Sequence, residues 1–277
     1  MFKTLGVITG LLAMTLPAAA AEKRVEWIAH RGESYLAPEN TMAAVNLGWE
    51  LGADAVEFDV HLSSDGKLVV IHDADTFRVT GGEGKGQKLI VKETDAAALQ
   101  KLDVGSWKDP KYAGEKMPLI GDVLATVPQG KRLYLEIKTT AEAVPAAVEA
   151  IKSSGKKPEQ IVIISFKEDT CAEIKKALPQ HKVFFLSSIK QDKQTTQWGP
   201  TAQELIATAK RLGVDGLDIQ AKPPVDAAFI KKVKDAGLEF YAWTVDDPEL
   251  ASQLIHDGAD GITTNRPAWL REQVAGN

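Results

Sequence analysis

The sequence is short of several features whose absence limits what kind of protein it encodes. Cys171 is the only cysteine among 277 residues. No disulfide can therefore form within the chain, and we predict Cys171 to be a packed helix residue. Basic residues are not in excess: 33 Lys and Arg stand against 38 Asp and Glu, and this net charge of −5 argues against nucleic acid as a partner. The sequence also has no Gly-rich dinucleotide-binding loop, coiled-coil heptad or low-complexity linker.

A long apolar run occurs only near the N-terminus. Lys3 precedes an apolar run from Leu5 to Leu16, and small residues at 17–21 lead to Glu22. This is the pattern of a secretory signal peptide, and the run is shorter than the ~20 residues that span a bilayer. We therefore predict a signal peptide over residues 1–21 and export across the inner membrane to the periplasm. Loss of its one lysine gives the mature chain, 22–277, a net charge of −6, and we expect no stable membrane insertion.

After residue 24, short β-branched runs alternate with helical patterns. The continuous apolar runs are typical of parallel strands that are buried on both faces. The predicted strands cover residues 25–30, 55–62, 132–138, 161–167, 182–188, 216–220, 239–245 and 261–264. The predicted helices cover residues 41–51, 119–127, 141–154, 168–178, 201–212, 226–236, 247–257 and a last segment from about 267. Eight strands with helical crossovers favour a (β/α)8 TIM barrel, and a doubly wound open sheet is the alternative.

One interval, residues 74–118, interrupts this alternation. It lacks a clear helix followed by a strand, and it contains Gly81, Gly82, Gly84 and Gly86. No Lys-Ser/Thr pair follows these glycines, so they predict turns instead of a phosphate-binding loop. Long insertions in compact domains are usually functional or mobile. We predict a small subdomain that caps one side of the barrel mouth.

Three carboxylates lie late in two of the predicted strands. Side chains alternate along a strand, so Glu57 and Asp59 share one face, and Glu136 lies near the end of the third strand. Because the C-terminal ends of barrel strands meet at one mouth, these side chains should converge. Such an oxygen-rich cluster predicts a Ca²⁺ or Mg²⁺ site. The alternative is a structural ion-pair network with Arg31 and Lys138.

Two histidines flank the carboxylate strand. His30 ends the first predicted strand, and His72 follows the apolar run after the second. Histidine, with a pKa near 6.5, can accept or release a proton near neutrality, so the pair suits acid–base chemistry. His61 shares the face of the carboxylates and is a further candidate ligand. We predict His181 and His256 to be structural.

Charge balance favours a phosphodiester as the ligand. Three carboxylates, a divalent cation and a bound diester sum to −2, which Arg31 and Lys138 would neutralise. The guanidinium group can hold two phosphate oxygens, and the ammonium group adds a compact charge. Trp243, late in the seventh strand, could pack on ligand carbons and hydrogen-bond through its indole N–H. Its alternative role is that of a core aromatic residue.

Together these motifs resemble those of the glycerophosphodiester phosphodiesterase family. The shared pattern consists of His30-Arg31-Gly32, Pro38-Glu39-Asn40-Thr41, Glu57-x-Asp59, His72-Asp73, Arg78-x-Thr80-Gly81, Glu136-Ile137-Lys138 and Trp243-Thr244-Val245. The resemblance implies metal-dependent hydrolysis of small glycerophosphodiesters to sn-glycerol 3-phosphate and an alcohol. It further implies that His30 is the proton acceptor and His72 the proton donor. The nucleophile would be the substrate's own glycerol hydroxyl or a water.

Two other functions fit parts of the same pattern. A lysophospholipase D or sphingomyelinase D-like enzyme must admit an acyl chain, so a large apolar rim beside Trp243 or an exposed patch on the insertion would favour it. A secreted phosphodiester-binding module is the non-enzyme alternative. The complete set of carboxylates and histidines favours chemistry over binding alone. Asn265 stands where many family members have Asp, and we expect it to order the last loop and alter head-group contacts.

Overall fold

The computed structural model describes residues 24–276. The predicted signal peptide lies outside the described residues. The strands are β1 Glu26–Ala29, β2 Ala55–Leu62, β3 Leu68–Val70, β4 Arg132–Ile137, β5 Ile161–Ser165, β6 Lys182–Ser187, β7 Lys190–Gln191, β8 Trp198–Gly199, β9 Gly216–Gln220, β10 Glu239–Trp243 and β11 Gly261–Thr264. The α-helices are α1 Met42–Glu50, α2 Ala96–Leu99, α3 Ile120–Thr126, α4 Val144–Ser153, α5 Glu168–Ala177, α6 Ala202–Leu212, α7 Ala227–Asp235, α8 Pro248–His256 and α9 Pro267–Ala275. Within residues 24–276, no helix combines the length and the apolar character needed to cross a bilayer.

Eight of the strands form a closed parallel barrel. Around the barrel they follow the order β1, β2, β4, β5, β6, β9, β10 and β11. The barrel closes because β1 pairs in parallel with β11 on one side and with β2 on the other. This closure confirms the predicted TIM barrel and excludes the doubly wound open sheet. Strands β7 and β8 form a separate antiparallel pair between β6 and α6.

Side-chain alternation along β2 separates the core from the site. Val56, Phe58 and Val60 are fully buried in the apolar layer between the strands and the helices. Burial of each such side chain stabilises the fold by roughly 1.5–3 kcal/mol. Glu57 and Asp59 lie on the other face and point into the barrel. The apolar face of β2 therefore fixes the strand in the core, and the strand in turn holds the two carboxyl groups rigidly.

Aromatic rings fill the barrel interior. Tyr134, Phe184 and Tyr241 are buried together, with the rings of Phe184 and Tyr241 stacked at 4.9 Å between centroids. The hydroxyl of Tyr134 donates a 2.6 Å hydrogen bond to Glu26 at the start of β1. These side chains fill the interior of the barrel, as layered side chains do in other TIM barrels. Cys171 is fully buried in α5, which confirms the predicted packed helix residue, and burial raises the pKa of its thiol to about 12.

The chain between β3 and α3 forms a small unit beside the mouth. β3 pairs antiparallel with the end of β2. The following segment holds α2, short 3₁₀ turns and its own apolar core, which includes Val79, Leu99 and Met117. Lys108 and Tyr112 donate 2.9 Å hydrogen bonds to carbonyl groups of the loop after β1. The segment thus packs against the loop that carries the first site residues.

Gly32 lets the chain turn sharply after His30. Its φ is +80°, and an added Cβ would lie 2.4 Å from the carbonyl carbon of Ala44. We expect Gly32→Ala to lower the free energy of unfolding by about 3 kcal/mol, because a left-handed backbone and a backbone overlap both oppose the methyl group. Gly52→Ala is the matched control: Gly52 has a φ of +81° with no atom within 4 Å, so only about 1 kcal/mol should be lost. Equal urea midpoints for the two variants would contradict the role of the contact.

Candidate active site

Three carboxylates from β2 and β4 form a buried cluster at the C-terminal end of the barrel. One oxygen from each of Glu57, Asp59 and Glu136 lies within 4.8 Å of the others. The three residues are only 3%, 1% and 8% exposed, respectively. Ca²⁺ and Mg²⁺ bind oxygen at about 2.0–2.6 Å, so oxygens that share one ion lie up to about 5 Å apart. The spacing and the oxygen-only donor set fit a divalent cation.

The electrostatics of the cluster also point to a cation. Burial, followed by the charges of Asp59 and Glu136, raises the pKa of Glu57 well above its ordinary value. Burial and Asp59 raise the pKa of Glu136 to about 8. Burial opposes ionisation of Asp59 too, but nearby Lys138 and Arg31 hold its pKa below the ordinary value. Among the described residues, Oε1 of Glu57 has no hydrogen-bond partner. A divalent ion would relieve the repulsion and give that oxygen a ligand.

The two predicted phosphate-binding cations contact this cluster. Lys138 Nζ lies 2.7 Å from Glu136 and 3.4 Å from Asp59, and Arg31 Nε lies 3.4 Å from Asp59. The backbone N–H of Arg31 donates a 2.8 Å hydrogen bond to Glu57. Ion pairs of the alternative network therefore exist. They do not use the orphaned oxygen of Glu57, so pairing alone does not explain the arrangement.

His30 is oriented by the residue that departs from the family pattern. Its Nδ1 lies 2.8 Å from Oδ1 of Asn265, whose Nδ2 donates a 2.5 Å hydrogen bond to Asp246. Because the amide nitrogen faces the carboxylate, the amide oxygen must accept the proton of Nδ1. Burial, followed by Arg31, lowers the pKa of His30 to about 4. This shift favours the neutral imidazole near pH 7, with its proton on Nδ1 and a lone pair on Nε2. Asn265 also orders its loop, as predicted, because its backbone N–H donates a 2.9 Å hydrogen bond to Asp246. Its contact with His30 was not predicted.

His72 belongs to a hydrogen-bond network that reaches Arg31. Nδ1 of His72 lies 2.7 Å from Asp73, which accepts a 2.7 Å hydrogen bond from Arg78 of the insertion. Arg78 also donates two hydrogen bonds to Glu39, of 2.7 and 2.9 Å, and Glu39 accepts another from Arg31 at 2.7 Å. Burial lowers the pKa of His72, and Asp59 opposes that shift. The insertion thus helps to position both a histidine and an arginine of the site.

These groups surround a small cavity of about 120 Å³. It is lined by His30, Arg31, Glu57, His72, Glu136, Lys138, Ile164, Phe166, Leu186, Asp218, Trp243, Thr244 and Thr263. Seven of the eight predicted site residues are among them, and the eighth, Asp59, contacts two of the seven. Trp243 Nε1 donates a 3.0 Å hydrogen bond to the carbonyl oxygen of Asp218. The predicted hydrogen bond from this indole to a ligand is therefore not available, and the ring offers only its apolar surface.

Several contacts of the site were not predicted from the sequence. Thr41 caps α1, and the neighbouring Asn40 donates a 2.8 Å hydrogen bond to Asp59 of the carboxylate cluster. His61 is not a member of the carboxylate cluster; its Nε2 lies 3.0 Å from the carbonyl oxygen of His72. Asp218 gave no signal beyond being an acidic residue within an apolar strand.

Comparison with known proteins gives a consistent result. A model of the glycerophosphoryl diester phosphodiesterase family matches residues 30–269. A glycerophosphodiester phosphodiesterase of Caldanaerobacter subterraneus subsp. tengcongensis is 34% identical over 247 residues, which cover 88% of this chain and 95% of that protein. A glycerophosphodiester phosphodiesterase of Bacillus subtilis is 29% identical, with 93% and 92% covered.

Solved structures agree with these relatives. An Oleispira antarctica phosphodiesterase in complex with the product sn-glycerol 3-phosphate superposes with a TM-score of 0.78 at 28% identity, covering 90% of this chain and 96% of the other. A glycerophosphoryl diester phosphodiesterase fold from Silicibacter pomeroyi superposes with a TM-score of 0.79 at 23% identity, with 92% and 94% covered. The similarity therefore extends over nearly the whole barrel.

Proposed function

Since the chain belongs to the glycerophosphoryl diester phosphodiesterase family, we propose that it hydrolyses small glycerophosphodiesters to sn-glycerol 3-phosphate and an alcohol. The chain is a phosphoric diester hydrolase, as its curated homologues are. The observation that carries the finer proposal is the cavity itself. A carboxylate cluster, two cationic side chains and two oriented histidines all lie at this one cavity of about 120 Å³.

Glu57, Asp59 and Glu136 would hold the divalent cation, Ca²⁺ or Mg²⁺. When bound, the ion polarises a phosphoryl oxygen and stabilises negative charge that develops on it. Arg31 and Lys138 would neutralise the remaining phosphate charge, because their cationic groups already lie at the cluster. These residues bind and orient the diester without transferring a proton.

The two histidines would move the protons of the reaction. Nε2 of His30 takes the proton of the attacking hydroxyl as the new P–O bond forms, and its neutral state and fixed tautomer support this role. His72 gives a proton to the departing alkoxide as the ester P–O bond breaks. Burial disfavours the charged form of His72 that this donation requires, but the charge of Asp59 and the hydrogen bond to Asp73 both favour it. After this step His30 carries an extra proton and His72 lacks one. The enzyme returns to its starting state when His30 releases its proton to solvent and His72 takes one up.

The size of the cavity favours a small diester over a lysophospholipid. Its 120 Å³ is well below the roughly 300–1,000 Å³ of pockets that enclose drug-sized ligands. Within the described insertion, Phe77 is the one exposed large apolar side chain, and Tyr35 and Leu36 are exposed in the adjoining loop after β1. The case against an acyl chain therefore rests on the size of the cavity, which has no room to enclose one.

The direct test is release of glycerol 3-phosphate from glycerophosphocholine by purified protein in Ca²⁺, in Mg²⁺ and in EDTA. We expect turnover with at least one cation and a decrease of at least about a hundredfold in EDTA. Lysophosphatidylcholine, assayed in parallel, should be hydrolysed far more slowly. Turnover of lysophosphatidylcholine alone would support the phospholipase D alternative and reject the small-diester proposal.

A further inference from the structure

Asp218 is a carboxyl group of the cavity that the proposed mechanism does not use. Inward-facing residues from four alternate strands line the cavity: Glu57 of β2, Ile164 of β5, Asp218 of β9 and Thr263 of β11. Alternate strands of a TIM barrel contribute side chains to one interior layer. In this eight-stranded ring, β9 is four strands from β2. Asp218 therefore lies across the barrel from the carboxylate cluster.

Among residues 24–276, no hydrogen-bond partner of the Asp218 side chain explains its burial. The residue is 1% exposed, and within the described part of the chain nothing hydrogen-bonds to its Oδ1. Its neighbours in the cavity wall include the apolar Ile164 and Leu186 and the ring of Trp243. A buried polar atom without a partner is costly, so such atoms in folded proteins usually serve a ligand or a water.

The protonation state of Asp218 defines what it can bind. Burial raises the pKa of its carboxyl to about 8, so the group carries a proton near neutral pH. A protonated carboxyl can donate one hydrogen bond and accept another, which matches an alcohol hydroxyl. It gives no charge attraction to a quaternary ammonium group. The hydrogen bond from the indole of Trp243 to the carbonyl oxygen of Asp218, at 3.0 Å, fixes the backbone beside it.

We propose that Asp218 determines specificity by hydrogen-bonding a hydroxyl group of the substrate's glycerol moiety. The inference rests on the proposed function, in which phosphate binds at the cluster formed by β2 and β4. One of the two organic groups of the diester can then extend within the small cavity toward the opposite wall, where Asp218 lies. Asp218 is the carboxyl group of that wall, so it is placed to recognise the glycerol hydroxyls.

The test compares the binding of two phosphate monoesters that differ only in hydroxyl groups. Glycerol 3-phosphate and n-propyl phosphate are titrated calorimetrically into the cation-loaded protein, with phosphocholine as a third ligand. We expect the wild type to prefer glycerol 3-phosphate over propyl phosphate by about tenfold. Asp218→Asn should keep most of this preference, because the amide still donates and accepts. Asp218→Leu should reduce it to less than about twofold while leaving propyl phosphate affinity unchanged.

Several outcomes would overturn the assignment. An undiminished preference in Asp218→Leu would exclude a role in hydroxyl recognition, and a selective loss of phosphocholine binding would assign the residue to a cationic head group instead. If Asp218→Leu does not fold, Asp218→Ala, which only enlarges the existing cavity, decides the same question. Glycerophosphocholine turnover by the wild type is measured separately. Its absence would reject the proposed function, whereas the binding comparison decides on Asp218 alone.

Discussion

Glu57→Gln is expected to lower kcat/KM for glycerophosphocholine by at least about a thousandfold, because it removes one of the three carboxylates that we propose as ligands of the cation. Loss of phosphoryl polarisation costs several kcal/mol of transition-state stabilisation, and about 4 kcal/mol corresponds to a thousandfold in rate. Glutamine has the shape of glutamate, and its side-chain oxygen can still accept the hydrogen bond from the backbone N–H of Arg31. The variant should therefore fold and lose only the charge.

Thermal unfolding separates loss of the cation from loss of the fold. An ion at a hundred times its Kd stabilises the wild type by about 2.7 kcal/mol, which raises Tm by roughly 5–10 °C for a domain of this size. Glu57→Gln should lack this increase. Its Tm without cation should not fall, because one member of a repulsive buried cluster has been neutralised.

A second buried glutamate provides the matched control. Glu33 is 1% exposed, and burial with the nearby charge of Asp246 raises its pKa to about 7, yet it does not belong to the carboxylate cluster. Glu33→Gln should keep both turnover and the cation-induced increase in Tm. An unchanged increase in Glu57→Gln would instead show that the cation binds elsewhere.

His30→Gln is expected to lower kcat by about a thousandfold while leaving cation binding intact. Proton transfer by a positioned side chain typically contributes 10²–10⁴ to the rate. Glutamine cannot take a proton at neutral pH, and His30 is not part of the carboxylate cluster. Single-turnover rates with glycerophosphocholine, together with the cation-induced increase in Tm, measure the two effects separately.

His181→Gln is the control for this second variant. His181 is 8% exposed and lies just before β6, at the end of the barrel away from the site. Its substitution should change turnover by less than about twofold, as expected for a residue that contacts no reacting group. A comparable loss in both variants would indicate a general effect on the fold and would remove His30 from its proposed role.

The departure at position 265 has an electrostatic consequence. Asn265 contacts His30 through a neutral amide. The nearest negative charge of this chain of hydrogen bonds is on Asp246, which accepts a hydrogen bond from the same amide. A carboxylate in direct contact would favour the imidazolium form and raise the pKa of His30. The amide therefore orients the ring without favouring the charged form of His30, as the proposed role of His30 as proton acceptor requires.

The sequence by itself determined the elements of the fold and the position of the site. Apolar periodicity is a local property, and it located all eight barrel strands and the helices between them within a few residues. Strand ends in a barrel meet at one mouth, so His30, Glu57 and Glu136 could be placed together although they are far apart in the chain. The chemistry of these residues stays a prediction, which rests on their resemblance to the family motifs.

Only the tertiary structure decided the partners of those residues. The hydrogen bond between His30 and Asn265 joins positions 235 residues apart, and that between Arg78 and Glu39 joins the insertion to the loop after β1. Such contacts depend on how loops pack, and no periodicity or spacing encodes that packing. Asp218 is the extreme case. Its Oδ1 has no hydrogen-bond partner among the described residues, and this can be recognised only when the positions of all neighbouring side chains are known.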